Sequence, residues 1–435
     1  MRRSHALPVL LALVIVAGAG CGAGGGSPGA TVAPGDAEVA RADVVRAAPA
    51  AGDAEQGAVA VNAFGLDLYG SIGSDGGNLV FSPASIALAL AMARAGARGE
   101  TAAQMDAVLH ADAAGDLLAA INALDQALAS RSGSFPAYPE GTLEVALRIA
   151  NAPFAQRGLP LESDYLATLA GDFGAGLRLV DYAGDPEAAR RTINAWVDEQ
   201  TGRRIPELLP AGTIDEATLL TLVNAIYLKA PWLDAFVEEA TAPAAFTRAD
   251  GSAVDVAMMD GGTDLLAYAA GDGWQAVELP YAGGKLAMTL VVPGDLAAFE
   301  AGLTPEQFDG IIGALDSRLV HLRLPRFGQE TKVSLGEVLA ALGMPDAFDP
   351  LQADFSGITA ATGLYITAVV HQANIDVDEK GTEAAAATAI VMAGSAAPDD
   401  QEVELTLDRP FLFALRDRPT GAILFLGRVV DPSAE

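Results

Sequence analysis

The stretch Asp378-Glu379-Lys380-Gly381-Thr382-Glu383-Ala384-Ala385-Ala386-Ala387-Thr388-Ala389-Ile390-Val391-Met392 constrains the fold more than any other part of the chain. By propensity alone, glutamate followed by alanines favours a helix. At a period of two, one face carries Thr382, Ala384, Ala386, Thr388, Ile390 and Met392, and the other carries Gly381, Glu383, Ala385, Ala387, Ala389 and Val391. The first face is small at its start and apolar at its end, and Glu383 is the one charge in either set. Such a segment can slide into a sheet with no bulky group or unpaired buried charge to block it. Helix, plain linker and inserting strand all remain open from this stretch alone. Residues 394–401 read as exposed and flexible.

The rest of the chain mixes helix and strand signals. Val61, Phe64, Leu68 and Ile72 recur on one helical face. A turn at Asp75-Gly76-Gly77-Asn78 leads into the short apolar strand Leu79-Val80-Phe81, after which Ser82 can cap a helix with Pro83 at its first position. Ile86, Leu88, Leu90 and Met92 are apolar on more than one side, which predicts a central helix. Thr101 and Gln104 have capping-box spacing for the next helix. Strand character dominates at 219–228, 285–292, 320–324, 366–377, 411–415 and 422–430. Without strict βαβ alternation this reads as an α+β fold. A chain of 435 residues suggests several domains by length. No Pro/Gly-rich seam or internal repeat divides it after Gln56, so one large domain over 56–435 is expected.

The beginning reads as a targeting segment. Arg2 and Arg3 precede an apolar run over 6–19, short for a bilayer span and right for the core of a secretory signal. The run ends in Gly18-Ala19-Gly20-Cys21, which resembles a bacterial lipobox, with Gly18 where that motif usually has an aliphatic residue. Residues 1–21 are therefore expected to be a signal with Cys21 lipidated, and 22–55, rich in Gly, Ala and Pro, a flexible tether. The protein is expected to be exported, extracellular or in the cell envelope, touching the membrane only through that anchor. Gly25-Gly26-Ser27-Pro28-Gly29 matches the nucleophile-elbow pattern, but in a tether that match is a coincidence.

Composition excludes several partners. There are 26 Lys and Arg against 56 Asp and Glu, a formal charge of −30. Nucleic acid and heparin-like polyanions are disfavoured, because binding them needs clustered cations. One cysteine excludes an internal disulfide framework, and four histidines leave little room for a His-rich metal centre. No metal and no cofactor is expected.

Glu379-Lys380-Gly381-Thr382-Glu383-Ala384-Ala385-Ala386-Ala387-Thr388 resembles the proximal hinge of the reactive loop in serpins. Asn78-Leu79-Val80-Phe81-Ser82-Pro83-Ala84-Ser85-Ile86 resembles the start of the family's helix B, and Asn194-Ala195-Trp196-Val197 with Thr201-Gly202 and Ile205 its helix F region. Leu222-Val223-Asn224-Ala225-Ile226-Tyr227-Leu228-Lys229, with Trp232 and Phe236, resembles its third main-sheet strand and breach. Leu279-Pro280-Tyr281, Leu324-Pro325-Arg326-Phe327, Leu342-Gly343-Met344, Asp354-Phe355-Ser356-Gly357-Ile358 and Arg409-Pro410-Phe411-Leu412-Phe413 follow in family order. The ordered set spans about 56–432.

The resemblance implies a serpin fold with a reactive-centre loop over about 379–402, and a suicide-substrate inhibitor of serine proteases rather than an enzyme. The target's serine attacks the loop, and the freed hinge then inserts into the main sheet and distorts the protease before water can deacylate it. Each ladder hydrogen bond gained on insertion is worth roughly 0.5–1.5 kcal/mol. The resemblance assigns Ser82, Ser85, Asn224 and His371 to the shutter, the polar cluster under the point where the sheet opens, and Trp232 and Arg326 to the breach. Arg326 and Glu379 occupy positions of an ion pair at the loop base. Trp196 reads as an anchor of a helix to the sheet. A catalytic role for His371 is not expected, since no Ser–His–Asp set accompanies it.

Counting forward from Glu379 places the reactive bond at Ser395-Ala396, while counting back from Pro410-Phe411 gives Asp399-Asp400; insertion length constrains the hinge side, so the forward count is preferred, with Met392-Ala393 as the alternative. No Lys or Arg lies between Thr382 and Asp408, which points away from trypsin-like targets and toward elastase-, chymotrypsin- or subtilisin-like ones. A monomer forming a covalent complex with its target is expected. A non-inhibitory surface binding protein on the same fold, or an inhibitor of cysteine proteases, are the alternatives.

Overall fold

The computed structural model describes residues 37–73, 76–137, 141–361, 363–382 and 402–434. Strand β1 (Glu38–Ala40) comes first and pairs with β5 (Leu177–Val180), Val39 opposite Arg178. The main chain beyond it is also fixed: Arg46 donates to Asn122 Oδ1 at 2.9 Å and to Asp125 at 2.6 Å, and the Ala47 N–H donates to the Gly171 carbonyl at 2.7 Å. The tether expected over 22–55 is therefore corrected from residue 37 onward, and the folded unit begins before Gln56. Edge pairing uses backbone groups alone, so the composition of this stretch carried no sign of it. Residues 1–36, including Cys21 and the elbow-like match, lie outside the described residues.

Helix α1 (Asp53–Ile72) buries Val61, Phe64 and Leu68 as its periodicity predicts. Strand β2 (Leu79–Phe81) runs into α2 (Pro83–Arg94), where the Ser82 side chain accepts from the Ser85 N–H and Pro83 takes the first turn. Every α2 residue through Ala93 is buried, as expected of a helix apolar all round. The capping box at Thr101 is not used. Helix α3 (Gly99–Val108) starts two residues earlier, and Thr101 Oγ1 is buried and accepts the Asp354 N–H at 2.9 Å. A long-range contact took the hydroxyl that local spacing reserved for a cap. The short α4 (Ala111–Ala114) and α5 (Leu117–Ala129) complete this helical layer.

Strands β3 (Gly133–Pro136) and β4 (Thr142–Gln156), helix α6 (Ser163–Phe173), helix α7 (Pro186–Gln200) and β6 (Leu220–Pro231) follow. A run of antiparallel strands comes next: β7 (Ala242–Thr247), β8 (Ala253–Gly271), β9 (Trp274–Pro280) and β10 (Leu286–Pro293). Two helices, α8 (Leu296–Ala301) and α9 (Pro305–Ala314), lead to β11 (Asp316–Pro325), β12 (Phe327–Ser334) and α10 (Gly336–Leu342). The chain closes with β13 (Ala368–Asp378), the two-residue β14 (Gly381–Thr382), β15 (Val403–Thr406), β16 (Phe411–Asp417) and β17 (Ile423–Val429).

Two sheets organise these elements. The first runs β1-β5-β4-β6-β14-β13-β12, with β3 added on β4; the second runs β15-β11-β8-β9-β10-β16-β17-β2, with β7 added on β8. Alternation along β6 separates two cores. Leu222, Ile226 and Leu228 face the main core with α2, whereas Val223 and Ala225 face α7 and meet its Ile193 and Val197. With both faces covered, β6 is buried almost throughout, which is why its sequence reads as a continuous apolar run. The fold is α+β, as expected.

Candidate functional site

The polar groups of the first sheet gather where β6 and β13 stop pairing. These strands pair directly and in parallel from Ala368 opposite Thr221 to Gln372 opposite Ala225, with His371 opposite Asn224 just below the fork. His371 is fully buried. Its Nε2 accepts the Ser82 backbone N–H at 3.1 Å, which leaves Nδ1 to donate to Asn224 Oδ1. Asn224 Nδ2 donates to Ser85 Oγ at 2.6 Å and to Asn151 Oδ1 at 2.7 Å. Burial pushes the imidazole down to about 3, so it is neutral. Both ring nitrogens are engaged and solvent is excluded, so His371 has no free lone pair with which to act as a general base.

All four residues assigned to the shutter thus meet in one network. The sequence reading missed its fifth member, Asn151 of β4, which lies opposite Asn224 in register and donates to the Ser85 carbonyl at 3.0 Å. An asparagine inside an otherwise strand-like run was the available signal.

Above the fork, the strands are held apart by β14. The chain leaves β13 at Asp378, turns through Glu379-Lys380 and descends as β14, antiparallel to both neighbours: Thr382 lies opposite Val377 on one side and Ala230 on the other. The Asp378 carboxylate shapes the turn by accepting the N–H groups of Lys380 at 2.8 Å and Gly381 at 3.2 Å. Trp232 binds the turn twice, its indole donating to the Asp378 carbonyl at 2.9 Å and its backbone N–H to the Lys380 carbonyl at 2.9 Å. The Phe236 N–H donates to the Glu379 carbonyl at 2.9 Å.

The expected ion pair is formed: Arg326 Nε lies 2.8 and 2.9 Å from the two Glu379 oxygens, and its Nη2 2.7 Å from one of them. Burial of Glu379 opposes ionisation, but the hydrogen bonds from Arg326 and Thr241 outweigh it and hold the carboxyl below its ordinary range.

Gly381 has φ +141°, and a Cβ there would sit 2.3 Å from the Ala230 carbonyl oxygen. Thr382 is almost fully buried, its hydroxyl 2.7 Å from the Tyr281 hydroxyl, and the Tyr281 ring stacks on Trp232 with centroids 4.4 Å apart. Tyr281 was legible as part of a resembling block but had no role assigned. Gly381 and Thr382 of the hinge are already inside the sheet, because nothing about their side chains opposes entry. The remaining hinge residues Glu383, Ala384, Ala385, Ala386, Ala387 and Thr388, and both candidate reactive bonds, Ser395-Ala396 and Met392-Ala393, lie outside the described residues. Trp196 on α7 meets Phe154 of β4 edge-on with centroids 5.6 Å apart, which places it as a helix-to-sheet anchor.

Comparison with known proteins agrees with this geometry. The family described as serpin (serine protease inhibitor) matches residues 59–432. The chain is similar to the leukocyte elastase inhibitor of Bos taurus, 38% identical over 391 residues that cover 87% of this chain and 100% of the relative. It is similar to Iris of Ixodes ricinus, 36% identical over 376 residues, 84% of this chain and 96% of the relative. Among solved structures, the native state of the thermophilic serpin tengpin superposes with a TM-score of 0.78 at 27% identity, covering 91% of this chain and 100% of that one.

Proposed function

Because the chain belongs to the serpin family, protease inhibitors rather than enzymes, we propose that it is a suicide-substrate inhibitor of serine proteases. The target's serine oxygen bonds to the carbonyl carbon of Ser395 as the amide to Ala396 breaks, and the displaced proton ends on the new amine. Residues 381–392 then continue the path of β14 downward between β6 and β13, opening the direct pairs that end at Gln372 and Ala225. The ester is trapped because the protease is carried with the strand and its oxyanion hole is deformed before water attacks.

The observation that carries this reading is Thr382 seated between Val377 and Ala230. A loop whose first strand residue is already in register has passed its nucleation step, and insertion must outrun deacylation for inhibition to succeed. The small residues after it meet the same requirement. The absence of Lys and Arg between Thr382 and Asp408 favours elastase-, chymotrypsin- or subtilisin-like targets. We assign Ser395-Ala396 as the reactive bond, with Met392-Ala393 the alternative, and assign export with lipidation of Cys21. Among the described residues no helix is long and apolar enough to cross a membrane.

The test is incubation with elastase, chymotrypsin, subtilisin, trypsin and a papain-like cysteine protease, read by denaturing gel and mass spectrometry. An SDS-resistant adduct with a serine protease and a released peptide beginning at Ala396 is the expected result. Cleavage of the loop by every serine protease without an adduct would overturn the inhibitory reading in favour of a binding protein on this fold. An adduct with the cysteine protease alone would move the target class.

A further inference from the structure

The strand that follows the reactive loop carries a second constellation, remote in chemistry from the hinge. His321 on β11 lies opposite Glu404 on β15 in parallel register and opposite Thr263 on β8 in antiparallel register. Glu402 precedes Glu404 by two positions on extended backbone, so both carboxylates share a face with the imidazole. One donor atom from each of His321, Glu402 and Glu404 lies within 4.8 Å of the others. We propose that these three side chains bind a divalent transition-metal ion of the zinc class and that the bound ion staples β15, the distal stem of the loop, to β11.

Three independent features support the assignment. The first is spacing. His321 Nδ1 is 3.2 Å from the nearer Glu404 oxygen, and two ligands each about 2.0–2.1 Å from a tetrahedral zinc lie roughly 3.3–3.4 Å apart.

The second is the outer shell. His321 Nε2 is 2.9 Å from Asp260 Oδ1, and Asp260 is itself held by the Gly262 N–H at 2.9 Å and Arg323 Nε at 3.1 Å. A carboxylate on the far nitrogen fixes the tautomer of a ligating histidine and raises its basicity. Thr263 plays the same part for Glu402 by donating its hydroxyl to the carboxylate.

The third is electrostatic. Asp260 faces Nε2 and a Glu404 oxygen faces Nδ1, so the ring sits between carboxylates, and a metal ion binds at Nδ1 by displacing the proton there. The group is half-buried at His321 and exposed at both glutamates, so an ion and its remaining waters have access.

A nitrogen donor with two carboxylates favours zinc, cobalt or nickel over magnesium and calcium, which prefer all-oxygen shells. The experiment is calorimetric titration of the full chain with Zn²⁺, in parallel with Mg²⁺ and with Co²⁺ followed by visible absorption. One equivalent of Zn²⁺ is expected to bind at least tenfold more tightly than Mg²⁺. Glu402→Gln and His321→Ala are each expected to weaken it tenfold or more, and Asp260→Asn to weaken it at unchanged stoichiometry. Glu402 accepts a hydrogen bond from Thr263 and lies just before β15, so its variant tests the site even where His321→Ala disturbs the sheet. Hydrogen exchange of residues 403–406 is expected to slow with Zn²⁺ in the parent and not in Glu402→Gln. Zn²⁺ binding that both variants leave unchanged, or that Mg²⁺ matches, would assign the ion to the general acidic surface and overturn the site. Binding that leaves exchange at 403–406 unaltered would overturn the staple. These readouts involve no protease, so they stand or fall apart from the inhibitory reading.

Discussion

The hydroxyl groups of Thr382 and Tyr281 share a hydrogen bond of 2.7 Å in a site closed to solvent. It joins the second residue of β14 to the residue stacked on Trp232, so the breach of the sheet is already occupied by the segment proposed to insert there. Below it, His371 and Asn224 bridge the two strands that further insertion must part. The hinge is thus gripped at Thr382 and the strands below it are tied at His371 and Asn224, and each grip gives an expectation.

Thr382→Arg places a guanidinium where the native hydroxyl has no exposure and no carboxylate partner. Burial of an unpaired charge costs several kcal/mol, so the arginine stays outside the sheet and insertion does not begin. The variant is expected to remain folded, to be cleaved by the target protease and to yield at least tenfold less SDS-resistant adduct per cleavage. Adduct yield equal to the parent would show that insertion does not start at this residue.

Gly381→Ala tests the turn above it. The added Cβ meets the Ala230 carbonyl and the Pro231 Cα at 2.3 and 2.7 Å, at a φ that side chains avoid. A penalty of about 1–3 kcal/mol follows, relieved most easily by expelling β14. Limited proteolysis and the tryptophan emission of Trp232 should report a detached hinge, with the midpoint of thermal unfolding lowered by several degrees.

Arg326→Ala leaves the buried Glu379 carboxylate with Thr241 and no cation. Because the Arg326 side chain is partly exposed, solvent screening limits the loss to about 1–2 kcal/mol. Glu379 titrates below its ordinary range in the native protein, so the pair contributes above that range and is lost as pH falls through the folded value. The difference in denaturant midpoint between parent and variant is therefore expected at pH 7 and should shrink toward pH 3.

His371 supplies the opposite kind of dependence. Folded, it is neutral down to about pH 3, whereas in the unfolded chain it takes a proton near its ordinary value. The unfolded state then binds more protons between those limits, so stability falls on acidification from about pH 6.5 by up to about 1.4 kcal/mol per pH unit. Urea midpoints at pH 7, 6 and 5 for the parent and His371→Gln should show that slope in the parent and a shallower one in the variant. Equal slopes would mean that the imidazole is not held neutral in the native sheet.

Much of this was legible before any coordinates. The fold class followed from the mixture of periods, and the central helix from the all-round apolarity of residues 83–93. The resemblance named Ser82, Ser85, Asn224 and His371, which the structure joins in one hydrogen-bond network, and Arg326 with Glu379, which it pairs. Asn151 and Tyr281 stood in legible runs without an assigned role, because their partners, like that of Asp260, are more than 60 residues away in sequence. The same long range misled the reading of Thr101, whose hydroxyl serves Asp354 instead of its own helix, and of residues 37–47, which dock by backbone pairing that no composition reports.

By itself, the sequence determined which segments could become strands and helices, and that residues 382–389, Glu383 apart, carry no charge or bulk to bar them from a sheet. Periodicity, caps and side-chain size act over a few residues, and those are written along the chain. Only the tertiary structure decided that Gly381 and Thr382 already lie in the sheet, that Tyr281 receives Thr382, that Asn151 joins the shutter network, and that His321 faces two glutamates across a strand pair. Those outcomes depend on register between strands, and register is fixed by packing among residues that meet only once the chain has folded.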